Sequence, residues 1–307
     1  MTAETVWPKL LVTGATGLLG GAIVREASAR YEVRGWARRP QRGAVPAPMS
    51  TVDVTDGAAV KRAMESWNPD VVIHAGAMTS IAACEADPAQ AQAVNVDGTA
   101  HVLKALAGCP ARFLYISTDS VFDGSRGAYR ETDPATPQHV YGRTKLEAEE
   151  AVLSQRPDAL VVRTVFYGWG GLDRPSLSEQ ILSALQQGGT WPGLTDIRFS
   201  PLVTTRAARL LLRLCEMPVS GRLHLAAREG CSKYDFACGI AERFQFDRDR
   251  IVATQSDALA MQPARPKDVT LNVDRATSLL GPLPDVAEGL SEWVRTRPAP
   301  APVAGAS

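Results

Sequence analysis

The sequence predicts a doubly wound α/β fold built on a parallel sheet. Three observations carry that prediction. Short apolar runs alternate with stretches of helical periodicity through the first half of the chain. A glycine-rich turn joins the first run to the first helical stretch. Each pair of runs is separated by enough residues for a right-handed crossover helix.

The elements follow in order. Lys9 to Thr13 is a β-branched and leucine-rich run that meets glycines at once. Leu18, Leu19, Ala22, Ile23 and Ala27 then recur at helical spacing. Glu32 to Trp36 reads as a second strand, Ala58 to Trp67 as a helix and Val71 to His74 as a third strand. Ala89 to Leu106 reads as one long helix, and Arg112 to Ser117 and Leu160 to Arg163 as further strands. Beyond residue 165 the alternation weakens. Gly168 to Pro175 is a glycine-rich loop, and Leu177 to Gln187 is an amphipathic helix stopped by Gly188-Gly189. Thr204 to Glu216 is helical and Arg222 to Ala226 extended. We therefore expect a dinucleotide-binding domain over residues 1–170, its sheet completed by 200–228. Residues 171–199 and 229–296 form a smaller C-terminal substrate-binding lobe. The Pro/Ala-rich tail, 297–307, lacks a pattern that buries apolar surface and is expected to be disordered.

Composition excludes several functions. Lys plus Arg is 33 and Asp plus Glu is 33, so the 307-residue chain has no basic excess for neutralising a nucleic-acid backbone. No apolar run reaches the length of a membrane span, and Met1 to Pro8 has no signal-peptide pattern, so a cytoplasmic protein is expected. The five cysteines are odd in number and scattered, as free thiols in a reducing compartment are, and the four histidines are dispersed, so no metal site is expected.

The chemistry concentrates in two places. Gly14-Ala15-Thr16-Gly17-Leu18-Leu19-Gly20 spaces three glycines in the dinucleotide pattern between a strand and a helix. Gly14 permits the turn, Gly17 lets a pyrophosphate approach the backbone, and Gly20 lets helix and strand pack closely. The phosphates would meet free N–H groups of Thr16 to Gly20 and the positive end of the helix dipole. This is the Rossmann arrangement. After the second strand, Val33 to Arg42 holds no acid but holds Arg34, Arg38, Arg39 and Arg42. Arginines there bind a 2′-phosphate, so NADP(H) is expected over NAD(H), with Arg38 and Arg39 as its readers; a solvated basic loop is the other reading. Asp53-Val54 is placed to meet the adenine, Asp56 to cap the next helix, and Ala75-Gly76-Ala77 to leave room for the cofactor. His74 reads as a core histidine.

The second place is Tyr141-Gly142-Arg143-Thr144-Lys145, with phenol and amine on one helix face. A nearby ammonium lowers a phenol pKa toward the working range of a proton donor. Ser117-Thr118-Asp119 ends a strand upstream and offers hydroxyls to a substrate oxygen.

Taken together, these motifs resemble the extended short-chain dehydrogenase/reductase superfamily over residues 7–295. More narrowly, the stretches 117–124, 129–133 and 137–147, with Arg198-Phe199-Ser200-Pro201 and Arg265 to Leu271, look like the dTDP-4-dehydrorhamnose reductase family. The resemblance implies a catalytic triad of Thr118, Tyr141 and Lys145. It implies cofactor contacts at Tyr141 and Lys145 besides the glycine turn, and it matches Asn95 to the superfamily's helix asparagine. It places Thr118, Asp119, Ser120, Val121, Phe122, Trp169, Arg198 and Arg265 on the substrate side. The implied reaction is NADP(H)-dependent reduction of a 4-keto nucleotide sugar, by a monomer or homodimer. Two departures fall on the substrate side: Ser120 replaces the usual aromatic, and Leu202 to Arg206 lacks an acid often found there. The alternatives are a dinucleotide-binding regulatory subunit like that of methionine adenosyltransferase, or a reductase or epimerase of another secondary-metabolite substrate.

Overall fold

A computed structural model describes residues 7–39, 46–170, 175–259 and 263–298. The first lobe runs β1 (Lys9–Thr13), α1 (Leu18–Ala27), β2 (Glu32–Ala37), β3 (Met49–Thr51), α2 (Gly57–Glu65) and β4 (Val71–His74). It continues with α3 (Ile81–Ala86), α4 (Pro88–Gln92), α5 (Gly98–Ala105), β5 (Arg112–Thr118), α6 (Val140–Gln155) and β6 (Leu160–Thr164). The rest is β7 (Phe166–Tyr167), α7 (Leu177–Gln186), β8 (Trp191–Leu194), β9 (Arg198–Phe199), β10 (Leu202–Val203), α8 (Thr204–Cys215) and β11 (Gly221–Leu225). Last come β12 (Cys231–Ser232), α9 (Lys233–Arg243), β13 (Ile251–Thr254), α10 (Asp274–Leu280) and α11 (Val286–Arg295).

Seven strands form one parallel sheet in the order β11-β6-β5-β4-β1-β2-β3. The direction of winding reverses between β1 and β4. That switch point opens a crevice at the carboxyl ends of the strands, where ligands of open α/β sheets bind. Successive side chains along a strand point to opposite faces, and the core divides accordingly. Leu10, Val12, Ile73, Leu114, Ile116 and Val162 pack on one side with α1 and α8. Leu11, Val72, Phe113, Tyr115 and Val161 pack on the other with α2, α5 and α6. Burying each such side chain contributes roughly 1.5–3 kcal/mol.

The structure adds short elements that the sequence reading did not name, among them α3, β7 to β10, β12 and β13, and differs from it in the first lobe as follows. β3 was not foreseen: its three residues carry no alternation, and pairing with β2 makes them a strand. The helix expected from 89 to 106 is α4 and α5 joined by a π turn, Ala93–Asp97. The helix expected from Ala58 starts at Gly57, where the Asp56 carboxylate accepts from the N–H groups of Ala58 and Ala59 at 3.0 and 2.9 Å. The tail beyond residue 298 lies outside the described residues.

Behind α6 lies a buried ion network. Arg163 (1% exposed) donates from Nε and Nη2 to Glu149 (0% exposed) at 3.0 and 2.7 Å. Arg222 Nε donates to the same carboxylate at 3.2 Å, and the Ser117 hydroxyl donates to its other oxygen. In the C-terminal region α7, α9 and α11 pack together, with Tyr167, Phe199, Phe236 and Trp293 buried among them. Among the described residues no helix is long and apolar enough to cross a membrane.

Candidate functional site

The glycine turn leaves β1 at the switch point. Gly14 has φ +66°, a left-handed value that suits glycine, and a Cβ there would sit 2.7 Å from Gly76 Cα. A Cβ on Gly20 would sit 2.2 Å from Gly14 O, so α1 lies directly against the turn. Gly17 is different. A Cβ there would meet Gly14 O alone, at 3.1 Å, so its other side is open. Gly17 is also the N-cap of α1 and supplies no side-chain cap. The first N–H groups of a helix need acceptors, and here Leu18 and Leu19 follow a cap that provides none. Thr16 lies on the same turn. The cradle therefore fits an anionic dinucleotide.

Across the crevice, Ala75, Gly76 and Ala77 are half-buried. His74 is fully buried and acts in structure, as its sequence context suggests. Its Nδ1 accepts from Thr13 Oγ1 at 2.6 Å, and Thr13 Oγ1 accepts from Gly76 N–H at 3.0 Å. Its Nε2 donates to Thr99 Oγ1 at 3.1 Å, and Thr99 donates on to Asn95 O. Burial first, and Lys145 second, push the His74 pKa down to about 3. Asn95 sits in the π turn and bonds both Met78 backbone groups, at 2.7 and 3.1 Å, and Thr144 Oγ1 at 3.0 Å. Its amide thus holds the loop after β4 onto α6, which is a positioning task.

Arg38 and Arg39 are exposed where β2 ends, at the rim of the crevice. Arg34 leaves the group, since its guanidinium lies 4.8 Å from the Trp67 ring centre. Arg42 lies outside the described residues. Asp53 accepts from the Thr55 N–H and hydroxyl at 2.9 and 2.8 Å. The backbone bond holds its carboxyl below the usual range against some burial, and Arg38 adds to the effect. Val54 packs against Gly98, where a Cβ would come within 2.7 Å of it.

Thr118 closes β5, and Tyr141 and Lys145 share a face of α6. Thr118 Oγ1 accepts from Ser120 N–H and donates to Asp119 Oδ1, both at 3.1 Å. Burial pushes the Tyr141 phenol well above its ordinary value, eased by the Thr118 hydroxyl and opposed by Asp119. Lys145 Nζ donates to Ile116 O at 2.7 Å and lies 4.0 Å from the Tyr115 ring centre. Burial lowers Lys145 to about 7, with Glu149 opposing. Burial dominates the Tyr141 phenol, which is a neutral acid carrying its proton.

Several substrate-side expectations are corrected. Val121 and Phe122 are fully buried, Phe122 stacking on Tyr129 at 4.2 Å, so neither reaches a ligand. Trp169 stacks on Trp293 at 4.4 Å and donates its indole N–H to Trp293 O at 2.7 Å, so it is packed within the C-terminal region. Arg198 pairs with Asp268 at 3.5 Å and donates to Gly230 O, which ties strands together. The Ser117 hydroxyl serves Glu149. Asp119, Ser120 and Arg265 remain. Burial raises the Asp119 carboxyl to about 6, while Thr118, Ser120 and Lys233 oppose the shift. Lys233, the first residue of α9, was missed by sequence reasoning. The Ser232–Asp235 capping box marks where that helix starts, but no local pattern tells that its lysine faces Asp119. His139 was missed too: it caps α6 by accepting from Gly142 N–H at 3.0 Å, and its ring stacks on Tyr141.

Residues 8–297 match the family model described as the RmlD substrate binding domain. A dTDP-4-dehydrorhamnose reductase of Mycobacterium tuberculosis is 34% identical over 283 residues, spanning 90% of this chain and 88% of that one. The methionine adenosyltransferase 2 subunit beta of Bos taurus is 30% identical over 287 residues, 88% of this chain and 82% of that one. The crystal structure of dTDP-4-dehydrorhamnose reductase from Bacillus anthracis in complex with NADP superposes with a TM-score of 0.85 at 22% identity, covering 95% of this chain and 100% of that one. The chain belongs to the RmlD substrate binding domain family and is an oxidoreductase of the extended short-chain dehydrogenase/reductase type.

Proposed function

We propose that the protein reduces a 4-keto nucleotide sugar with NADP(H). The observation that carries this reading is the neutral phenol of Tyr141 beside the Thr118 hydroxyl, at the end of the β5 strand in the crevice that the glycine turn opens. NADPH, when bound, supplies the hydride for the ketone carbon. Tyr141 gives its proton to the ketone oxygen, and Thr118 orients that oxygen. Lys145 holds the nicotinamide ribose and, once charged, favours the phenolate that proton donation leaves. Asn95 keeps α6 against the loop that follows β4. Gly14 to Gly20 hold the pyrophosphate, with Ala75 to Ala77 flanking the cofactor and Asp53-Val54 at the adenine. Residues 171–199 and 229–296 form the substrate-binding lobe, and Asp119, Ser120 and Arg265 face the substrate.

The identity of the relatives supports a sugar-nucleotide reductase. The second reading, a regulatory subunit, is favoured by the methionine adenosyltransferase relative. Incubation with 4-keto nucleotide sugars separates the two. One NADPH oxidised per sugar reduced is expected. Turnover without net cofactor change would indicate an epimerase, and no turnover across a broad panel would favour the regulatory reading.

Arg38 and Arg39 stand exposed where a 2′-phosphate would lie. Replacing both with Ala is expected to weaken NADPH binding while NADH binding stays nearly unchanged. Equal losses for the two cofactors, measured by fluorescence titration, would show that these side chains do not read the phosphate.

A further inference from the structure

The helix that carries Tyr141 starts on an unusual cap. The first N–H groups of a helix find no partner inside it, and Ser, Thr, Asp or Asn normally supply the acceptor. α6 uses His139 instead. The ring Nδ1 accepts from Gly142 N–H at 3.0 Å, and the His139 carbonyl accepts from Arg143 N–H at 3.0 Å. From α3, Glu85 Oε1 accepts from Val140 N–H at 2.6 Å. Tyr141 therefore lies between two residues whose N–H groups are held, and the His139 ring stacks on its phenol ring. The turn has no slack toward β5. A Cβ on Gly142 would sit 2.2 Å from the carbonyl oxygen of Ser120, two residues beyond Thr118.

A histidine cap differs from an asparagine or serine cap in one respect. Nδ1 accepts only while it carries no proton, because both ring nitrogens of an imidazolium are donors. A proton there would set N–H against the N–H of Gly142. It would also place a positive charge at the positive end of the helix dipole. The surroundings keep the ring neutral. It is 1% exposed. Burial first, then Arg265 from the segment between β13 and α10, push its pKa down to about 4; Glu85 of α3 opposes the shift and Arg143 of α6 adds to it. With Nδ1 committed to Gly142, the neutral ring carries its proton on Nε2.

We infer that His139 is the positioning residue for Tyr141: its unprotonated ring fixes the first turn of α6, and protonation of that ring releases the turn and the phenol with it. The effect on turnover rests on the reductase reading, whereas the cap belongs to α6 whatever the reaction. Tyr141 touches the ketone, and His139 acts only through Tyr141.

The test compares His139→Ala, which removes the acceptor, with His139→Asn, which supplies one that takes up no proton. At pH 7 the Ala variant is expected to lose about fivefold to thirtyfold in kcat, the equivalent of a lost helix cap, with KM and NADPH affinity unchanged. The Asn variant should restore kcat. In the wild type kcat should fall with acid through about pH 4, and the Asn variant should lack that limb. Asp119, raised to about 6, titrates in both proteins and drops out of the comparison. A second arm needs no substrate. In protein with 15N-labelled histidine, His139 should show a bare Nδ1 and a protonated Nε2 at pH 7, its signals identified by their loss in the Asn variant. Hydrogen exchange at Gly142 should quicken in the Ala variant and recover in the Asn variant. Wild-type kcat in the Ala variant, an acid limb that persists in the Asn variant, or a protonated Nδ1 at pH 7 would each overturn the role. A purely structural cap would lower stability in the Ala variant and leave kcat and the acid limb in place. The reductase reading fails separately, if the wild type reduces no keto sugar; the label and exchange measurements then decide the cap.

Discussion

Tyr141→Phe is expected to lower kcat on the true ketone by about 10²–10⁴-fold while NADPH still binds. The substitution removes one oxygen and keeps the ring that stacks on His139. Burial holds the phenol in its protonated form, so the wild-type residue has a proton to give across the neutral pH range. The loss should therefore fall on the chemical step. Steady-state kinetics with a parallel NADPH titration checks it. A Phe variant with near wild-type kcat would remove Tyr141 from the reaction.

Glu149→Ala is expected to destabilise the protein by about 3–5 kcal/mol, because it leaves Arg163 as an uncompensated buried charge. Arg163 has no route to water at 1% exposure, and Arg222 and Ser117 lose the same partner. Thermal unfolding should show a fall in Tm of roughly 5–8 °C. Glu149→Gln, which keeps an acceptor, should lose less. An unchanged Tm in the Ala variant would contradict the account. Removal of Glu149 also takes away the charge that supports the ammonium of Lys145, so Lys145 should be neutral over a wider pH range.

Much of the first lobe was legible because its signals are local. Three glycines at fixed spacing after a strand, and Tyr141 four residues before Lys145, need no knowledge of tertiary contacts. The same holds for Asp56, whose carboxylate caps the helix that follows it. Other features depend on what comes to lie opposite. β3 is a strand by virtue of β2. Trp169 could have faced a ligand, and its packing against Trp293, 124 residues away, decides that it does not. Lys145 was expected beside the phenol on helical spacing alone, yet the Ile116 carbonyl and the Tyr115 ring take its side chain. Lys233 and His139 gain meaning from long-range neighbours, which have no local sequence signature.

The π turn at Ala93–Asp97 works as a phase shifter. An α-helix advances about 100° per residue, so one extra residue in a turn rotates everything beyond it relative to everything before it. α4 and α5 can thus choose their buried faces independently, and Asn95 is aimed from the place where the two phases meet. A single-residue deletion between 93 and 97 would restore a regular helix and return both halves to one phase. The face of α5 that now meets α2 would then turn away, or Asn95 would lose Met78 and Thr144. Length is therefore fixed in this segment more tightly than residue identity, and an insertion or deletion here reaches α6 without touching a catalytic side chain.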